Sequence, residues 1–121
     1  MVWVLTQDLF YYSKLNAVAE RRGVQIVRVA SYSARPAGPP PGLAVLDLCL
    51  PLLDEIDPVA SMREASGRPT LPVVAYFSHV ESDKKRKAME LGCGEVLPKS
   101  VFADRFDEML SRYFPPSVPA P

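Results

Sequence analysis

The sequence predicts an α/β domain built on a doubly wound, five-stranded parallel sheet, and three observations predict it. Short apolar, β-branched runs alternate with amphipathic stretches along the chain, the pattern of right-handed βαβ crossovers. The run at 42–48 is apolar at nearly every position, as a central strand covered on both faces must be. The 121 residues, 48% of them hydrophobic, are enough for one core, and neither a repeat nor a second domain is visible.

Residues 2–6 form the first strand, after which Asp8 offers a cap to a helix with Leu9, Tyr12, Leu15, Val18 and Ala19 at helical spacing. Gly23 closes that helix. Strands follow at 24–30 and 42–48, then a helix over 55–65 with Val59 and Met62 inward. A buried strand over 72–78 leads to an amphipathic helix over 82–92, a short strand at 94–98 and a last helix over 102–114. That helix carries Phe102, Phe106, Met109, Leu110 and Tyr113 on one face. The link between the second and third strands has about a dozen residues, four of them proline, so its crossover helix is expected to be missing or reduced to a turn. The domain is expected to span 1–114, with a proline-rich, disordered tail at 115–121.

Fourteen basic and fourteen acidic residues cancel, which argues against an electrostatic grip on nucleic acid or an anionic membrane. The basic run Lys84–Lys87 is flanked by Glu81, Asp83 and Glu90 and reads as a solvated helix face. No leader pattern and no stretch of membrane-spanning length is present, and Cys49 and Cys93 read as two small buried thiols of a reducing cytoplasm, the location expected. His79 has no partner at ligand spacing, and no phosphate loop, nucleophile elbow or zinc pattern occurs, so the chain does not read as an enzyme. The aromatic stretch Leu9–Tyr12 offers more apolar surface than one helix face can bury; it either packs at an edge or docks a partner.

Ligands of open parallel sheets bind at the carboxyl ends of the strands. There the chain places Thr6, Gln7 and Asp8 after strand one, Asp47 at the end of strand three, Phe77 and Ser78 at the end of strand four, and Lys99 after strand five. A carboxylate closing an apolar strand is costly unless paired, ligating or reactive, and Lys99 is the cation that ends a neighbouring strand.

These residues resemble the receiver domain of response regulators (CheY-like). Residues 44–54 are similar to its phosphoacceptor segment, with Asp47 at the strand end, Pro51 four residues on and Asp54 seven on. Residues 71–77 and then 88–100 resemble its fourth strand, the following helix and the segment of the conserved lysine, here Lys99. The likeness extends over about 2–113 and implies a receiver (flavodoxin-like) fold. In that family the aspartate takes a phosphoryl group from a histidine kinase. Two acids after strand one hold Mg²⁺ with it, a hydroxyl on strand four and the lysine contact the phosphoryl group, and an aromatic on strand five reports the change.

The chain departs from that pattern at several of these positions. The acid pair falls on Thr6 and Gln7, leaving Asp47, a carbonyl at Cys49 and, one residue late, Asp8 as a weak Mg²⁺ set at best. Asp8 reads alternatively as a plain helix cap. Phe77 stands at the hydroxyl position, with Ser78 beside it on the opposite strand face, and Val96 stands at the aromatic position. Ser100 replaces a proline and Glu55 a glycine. Two expectations follow. Asp47 and Lys99 pair one to one without metal, and Phe77 fills the space a moving aromatic would use. The resemblance then implies a pseudo-receiver: a stand-alone signalling module acting through protein contacts, phosphorylation-independent and without cofactor. Its expected surface is the 82–114 face, offered to a histidine kinase, an effector or a second copy. The alternative is an authentic receiver in a two-component phosphorelay, phosphorylated on Asp47 with Mg²⁺. A third reading is a small-molecule or nucleotide binder using the same crevice.

Overall fold

The structure is a computed structural model that describes residues 1–29, 31, 36, 38–49, 57–78 and 82–115. Expectations resting on Pro51, Asp54, Glu55, His79, Glu81 and the tail at 116–121 lie outside these residues. The elements are β1 (Val2–Leu5), α1 (Leu9–Arg21), β2 (Ile26–Val29), β3 (Leu43–Asp47), α2 (Pro58–Ser66), β4 (Val73–Phe77), α3 (Ser82–Leu91), β5 (Glu95–Pro98) and α4 (Lys99–Tyr113). The five strands are parallel in the order β2-β1-β3-β4-β5, so β1 and β3 are fully flanked and every residue of both is buried. The doubly wound sheet expected from the strand–helix alternation is the observed architecture. Among the described residues no helix links β2 to β3, in keeping with the prolines there.

The sheet has an apolar cluster on each face. One holds Trp3, Leu5, Leu46, Val59, Met62, Ala75 and Val96 and is covered by α2 and α3. The other holds Val4, Leu15, Val45, Tyr76, Phe102 and Phe106, between the sheet and α1 and α4. The clean separation follows from the two-residue repeat of a strand, which sends Val45 and Leu46 to opposite sides.

Local chemistry sets the helix ends. Asp8 caps α1, its Oδ1 accepting from the Tyr11 amide at 3.0 Å, and Asp57 does the same for α2 toward Ala60. Gly67 ends α2 at φ 70°, a left-handed conformation that glycine adopts without steric cost. Gly42 abuts the Phe114 ring so closely that a Cβ there would sit 2.9 Å from it. The last helix starts three residues earlier than its apolar stripe suggested: β5 ends at Pro98 and α4 begins at Lys99, with no loop between them. Pro98, at φ −58°, is the cap residue of α4 and supplies no side-chain cap hydrogen bond.

Of the aromatic stretch on α1, Tyr11 is buried, and Tyr12 is half-buried with its hydroxyl on the Ile26 carbonyl. Phe10, 94% exposed, and Leu9 face solvent instead of packing at an edge. In the basic run on α3, Lys85 and Arg86 are exposed and Lys84 and Lys87 half-buried, and Arg86 pairs with Asp83. No helix among the described residues is long and apolar enough to cross a membrane.

Candidate functional site at the carboxyl end of the sheet

Asp47 ends β3 and is 6% exposed. Its two oxygens are held by donors from two different segments. Oδ2 accepts from the Thr6 hydroxyl at 2.7 Å, and Oδ1 accepts from the Cys49 amide at 2.8 Å. Hydrogen bonds to a charged group are worth about 1.5–3 kcal/mol each, enough to offset much of the cost of sinking a carboxylate this far.

The expected Asp47–Lys99 pair does not form. The Lys99 ammonium instead pairs with Asp8 Oδ2 and lies 4.8 Å from the centre of the Tyr11 ring. The physical reason is local. As the cap of α1, Asp8 is held beside the first turn of that helix, and Tyr11 three residues on donates its hydroxyl to the Lys99 carbonyl at 2.8 Å. This ties the N-terminus of α4 to the same turn. The Lys99 hydrogen bond, ahead of the Tyr11 amide, holds the Asp8 carboxyl below the usual carboxylate range.

Thr6 is the residue whose importance the sequence concealed. It is fully buried, and its hydroxyl uses its entire hydrogen-bonding capacity. Its proton goes to Asp47, while its two lone pairs accept from the Tyr76 hydroxyl at 3.0 Å and the Asp8 amide at 3.0 Å. Arg28 on β2 also donates to the Thr6 carbonyl, at 3.1 Å. Tyr76, which no motif in the sequence singles out, lies opposite Asp47 in the β3–β4 register. Burial, ahead of the Asp47 charge, pushes its phenol well above the ordinary tyrosine range, against the lowering effect of the Thr6 hydrogen bond. Burial does the same to Tyr11. Both phenols therefore stay protonated and serve as donors. The signal for Tyr76 was present: a tyrosine inside an otherwise apolar strand needs a partner for its hydroxyl.

The remaining expected positions fall as follows. Gln7 is exposed. Phe77 is half-buried and packs against the cluster that contains Val96, so it is not turned away from it. The Ser78 hydroxyl meets Cys49 Sγ at 3.1 Å, not the carboxylate. Cys93 is buried as expected, but Cys49 is exposed, because it stands past the end of β3. A shallow depression of about 470 Å³ lies between Tyr11, Lys14, Phe77, Ser78 and Lys99.

The donor set fits a divalent cation poorly. Mg²⁺ is held through carboxylates and water in octahedral geometry. Here both Asp47 oxygens accept from protein donors, and Asp8 gives one oxygen to its helix cap and the other to Lys99. Among the described residues no cluster of three or more His, Cys, Asp or Glu side chains converges to hold a metal.

No protein-family model matches the chain, and no curated protein matches it. Solved structures do. A response regulator from Hahella chejuensis superposes with a TM-score of 0.74 at 21% identity, over 94% of each chain. The phosphorylated cyanobacterial phytochrome response regulator RcpA gives 0.73 at 14%, over 98% of this chain and 97% of that one. The non-phosphorylated HemR receiver domain from Leptospira biflexa gives 0.68 at 20%, over 99% and 98%. Strand order, layer arrangement and near-complete mutual coverage agree: this chain has the fold of response regulator receiver domains.

Proposed function

We propose that the protein is a signalling module of receiver fold that works through protein–protein contacts without phosphorylation of Asp47, in or beside a two-component pathway. One observation carries this reading. The Asp47 carboxylate is satisfied by hydrogen bonds from Thr6 and Cys49, while the lysine that would meet a phosphoryl group is engaged by Asp8. Phosphoryl transfer to a carboxylate relies on cationic groups gathered around the transferred oxygens, and the described residues bring none of them onto Asp47. The surface we assign to a protein partner, or to a second copy, is the α3–β5–α4 face. It combines exposed Met89 and Val101 with the ion pairs that Arg112 makes to Glu95 and Glu108.

The test is an amide NMR spectrum with and without Mg²⁺ plus beryllofluoride, a mimic of the aspartyl phosphate, with Asp47→Asn as control. The expected result is an unchanged spectrum. Shifts around Asp47, Lys99 and α4 that vanish in the control would establish the phosphorylated reading instead.

A further inference from the structure

We infer that the Thr6 hydroxyl is a junction that couples the Asp47 carboxylate to helix α4 through the α1/α4 face of the sheet. Thr6 stands at the position of the lost acid pair, and the coupling runs on the face opposite Phe77 and Val96. It does not depend on how Asp47 is perturbed, so it stands or fails separately from the phosphorylation test.

Two branches leave the junction. The first runs through Tyr76, whose hydroxyl donates to Thr6 and whose ring centre lies 4.6 Å from that of Tyr11 and 5.3 Å from that of Phe102. Phe102 in turn stacks on Phe106 at 5.8 Å, so the branch ends in the buried side of α4. The second runs through Asp8. Its amide donates to the same Thr6 oxygen, and its carboxylate holds Lys99, the first residue of α4. Tyr11 joins the branches, because its hydroxyl is on the Lys99 carbonyl and its ring is against Tyr76.

Saturation of the hydroxyl produces the coupling. A hydroxyl has one proton and two lone pairs, and at Thr6 all three are committed within a fully buried site. If Asp47 turns away or presents a donor, the Thr6 proton loses its acceptor. Thr6 cannot rotate to another without disturbing the hydrogen bond from Tyr76 or from Asp8. An unmade bond is costly in such a site, so the rearrangement spreads to whatever those two residues hold. Both hold α4. On the other face, Phe77 and Val96 offer only apolar packing, which gives Asp47 no directional contact to pull on.

The test uses the full chain and Asp47→Ala, which removes the acceptor of the Thr6 proton outright, as the perturbation, read by amide chemical shifts in five backgrounds. With Thr6 present, Asp47→Ala is expected to shift the amides of Asp8, Tyr11 and the first two turns of α4. In Thr6→Val the α4 shifts are expected to be lost, and in Thr6→Ser, which keeps the hydroxyl, they are expected to return. Tyr76→Phe, which keeps the ring, is expected to lose only the shifts at Phe102 and Phe106; Asp8→Asn is expected to lose only those at Lys99–Val101. Shifts on α4 that persist at full size in Thr6→Val would overturn the inference, as would shifts concentrated on Val96 and α3. Should Thr6→Val fail to fold, the Tyr76→Phe/Asp8→Asn/Tyr11→Phe triple variant cuts both branches and the Tyr11 hydroxyl link to Lys99: loss of the α4 shifts supports the junction, and their persistence overturns it.

Discussion

The two faces of the sheet solve the same problem at its carboxyl end in different ways. On the α2/α3 face, Phe77 packs against an apolar cluster that includes Val96, and neither side chain can make a hydrogen bond. On the α1/α4 face, an equally buried cluster has a polar seam through it: Tyr76, Thr6 and Asp47, each bonded to the next. The difference teaches where specificity resides. Apolar packing tolerates shape-conserving exchange, whereas a buried hydrogen-bond chain tolerates the loss of no member.

Four substitutions break or sharpen that contrast, and urea unfolding measures each. The largest effect is expected from Phe102→Ala, which removes a fully buried ring between Tyr76 and Phe106 and is expected to destabilise the fold by about 3–5 kcal/mol. A loss under about 1 kcal/mol would mean that α4 is not held by this stack. Next comes the direct comparison of the faces. Thr6→Val, which removes the donor to Asp47 Oδ2 and the acceptor of the Tyr76 hydroxyl, is expected to cost about 1–3 kcal/mol. Phe77→Leu on the other face is expected to cost less than about 1.5 kcal/mol. Equal costs would mean that the polar seam is no less tolerant than the apolar packing opposite it.

The smallest effect belongs to Asp8. The Lys99 hydrogen bond depresses its folded-state pKa below the unfolded value, so the pair contributes stability above about pH 4 that is lost as pH falls through the folded pKa. Asn is as good a helix cap as Asp, so Asp8→Asn isolates the charge. For this partly exposed, solvent-screened pair the expected cost at pH 7 is about 0.2–1 kcal/mol. The acid limb of the midpoint-versus-pH curve should be flatter in the variant than in the parent chain. Parallel curves would show that Asp8 does not titrate against Lys99.

Most of the architecture was legible because it rests on periodicity. The apolar run at 42–48 and the stripe of Phe102, Phe106, Met109 and Leu110 could only be a central strand and a core-facing helix, and they are. The prolines before Gly42 disfavour a crossover helix by their own geometry, and none links β2 to β3 among the described residues. The site was legible in its membership but not in its wiring. Asp47, Lys99, Asp8 and Thr6 all stand where strand ends put them, yet spacing alone cannot tell which acid a lysine takes. Asp8 wins because capping fixes it beside the turn that also binds the Lys99 carbonyl through Tyr11. By position, Thr6 is a lost carboxylate. What counts is what its hydroxyl touches, and that depends on Tyr76, seventy positions away in sequence.

The junction of β5 and α4 has a mechanical consequence. A hinge needs backbone torsions free to absorb rotation, and here few are available: the strand ends on Pro98, whose ring fixes φ, and the helix starts at the next residue. Strand and helix therefore behave as a single crank, one arm clamped to β4 by the sheet hydrogen bonds and the other seated on α1. A rotation of the helix at this joint has to be taken up by the Pro98 ψ torsion or by the β4–β5 ladder.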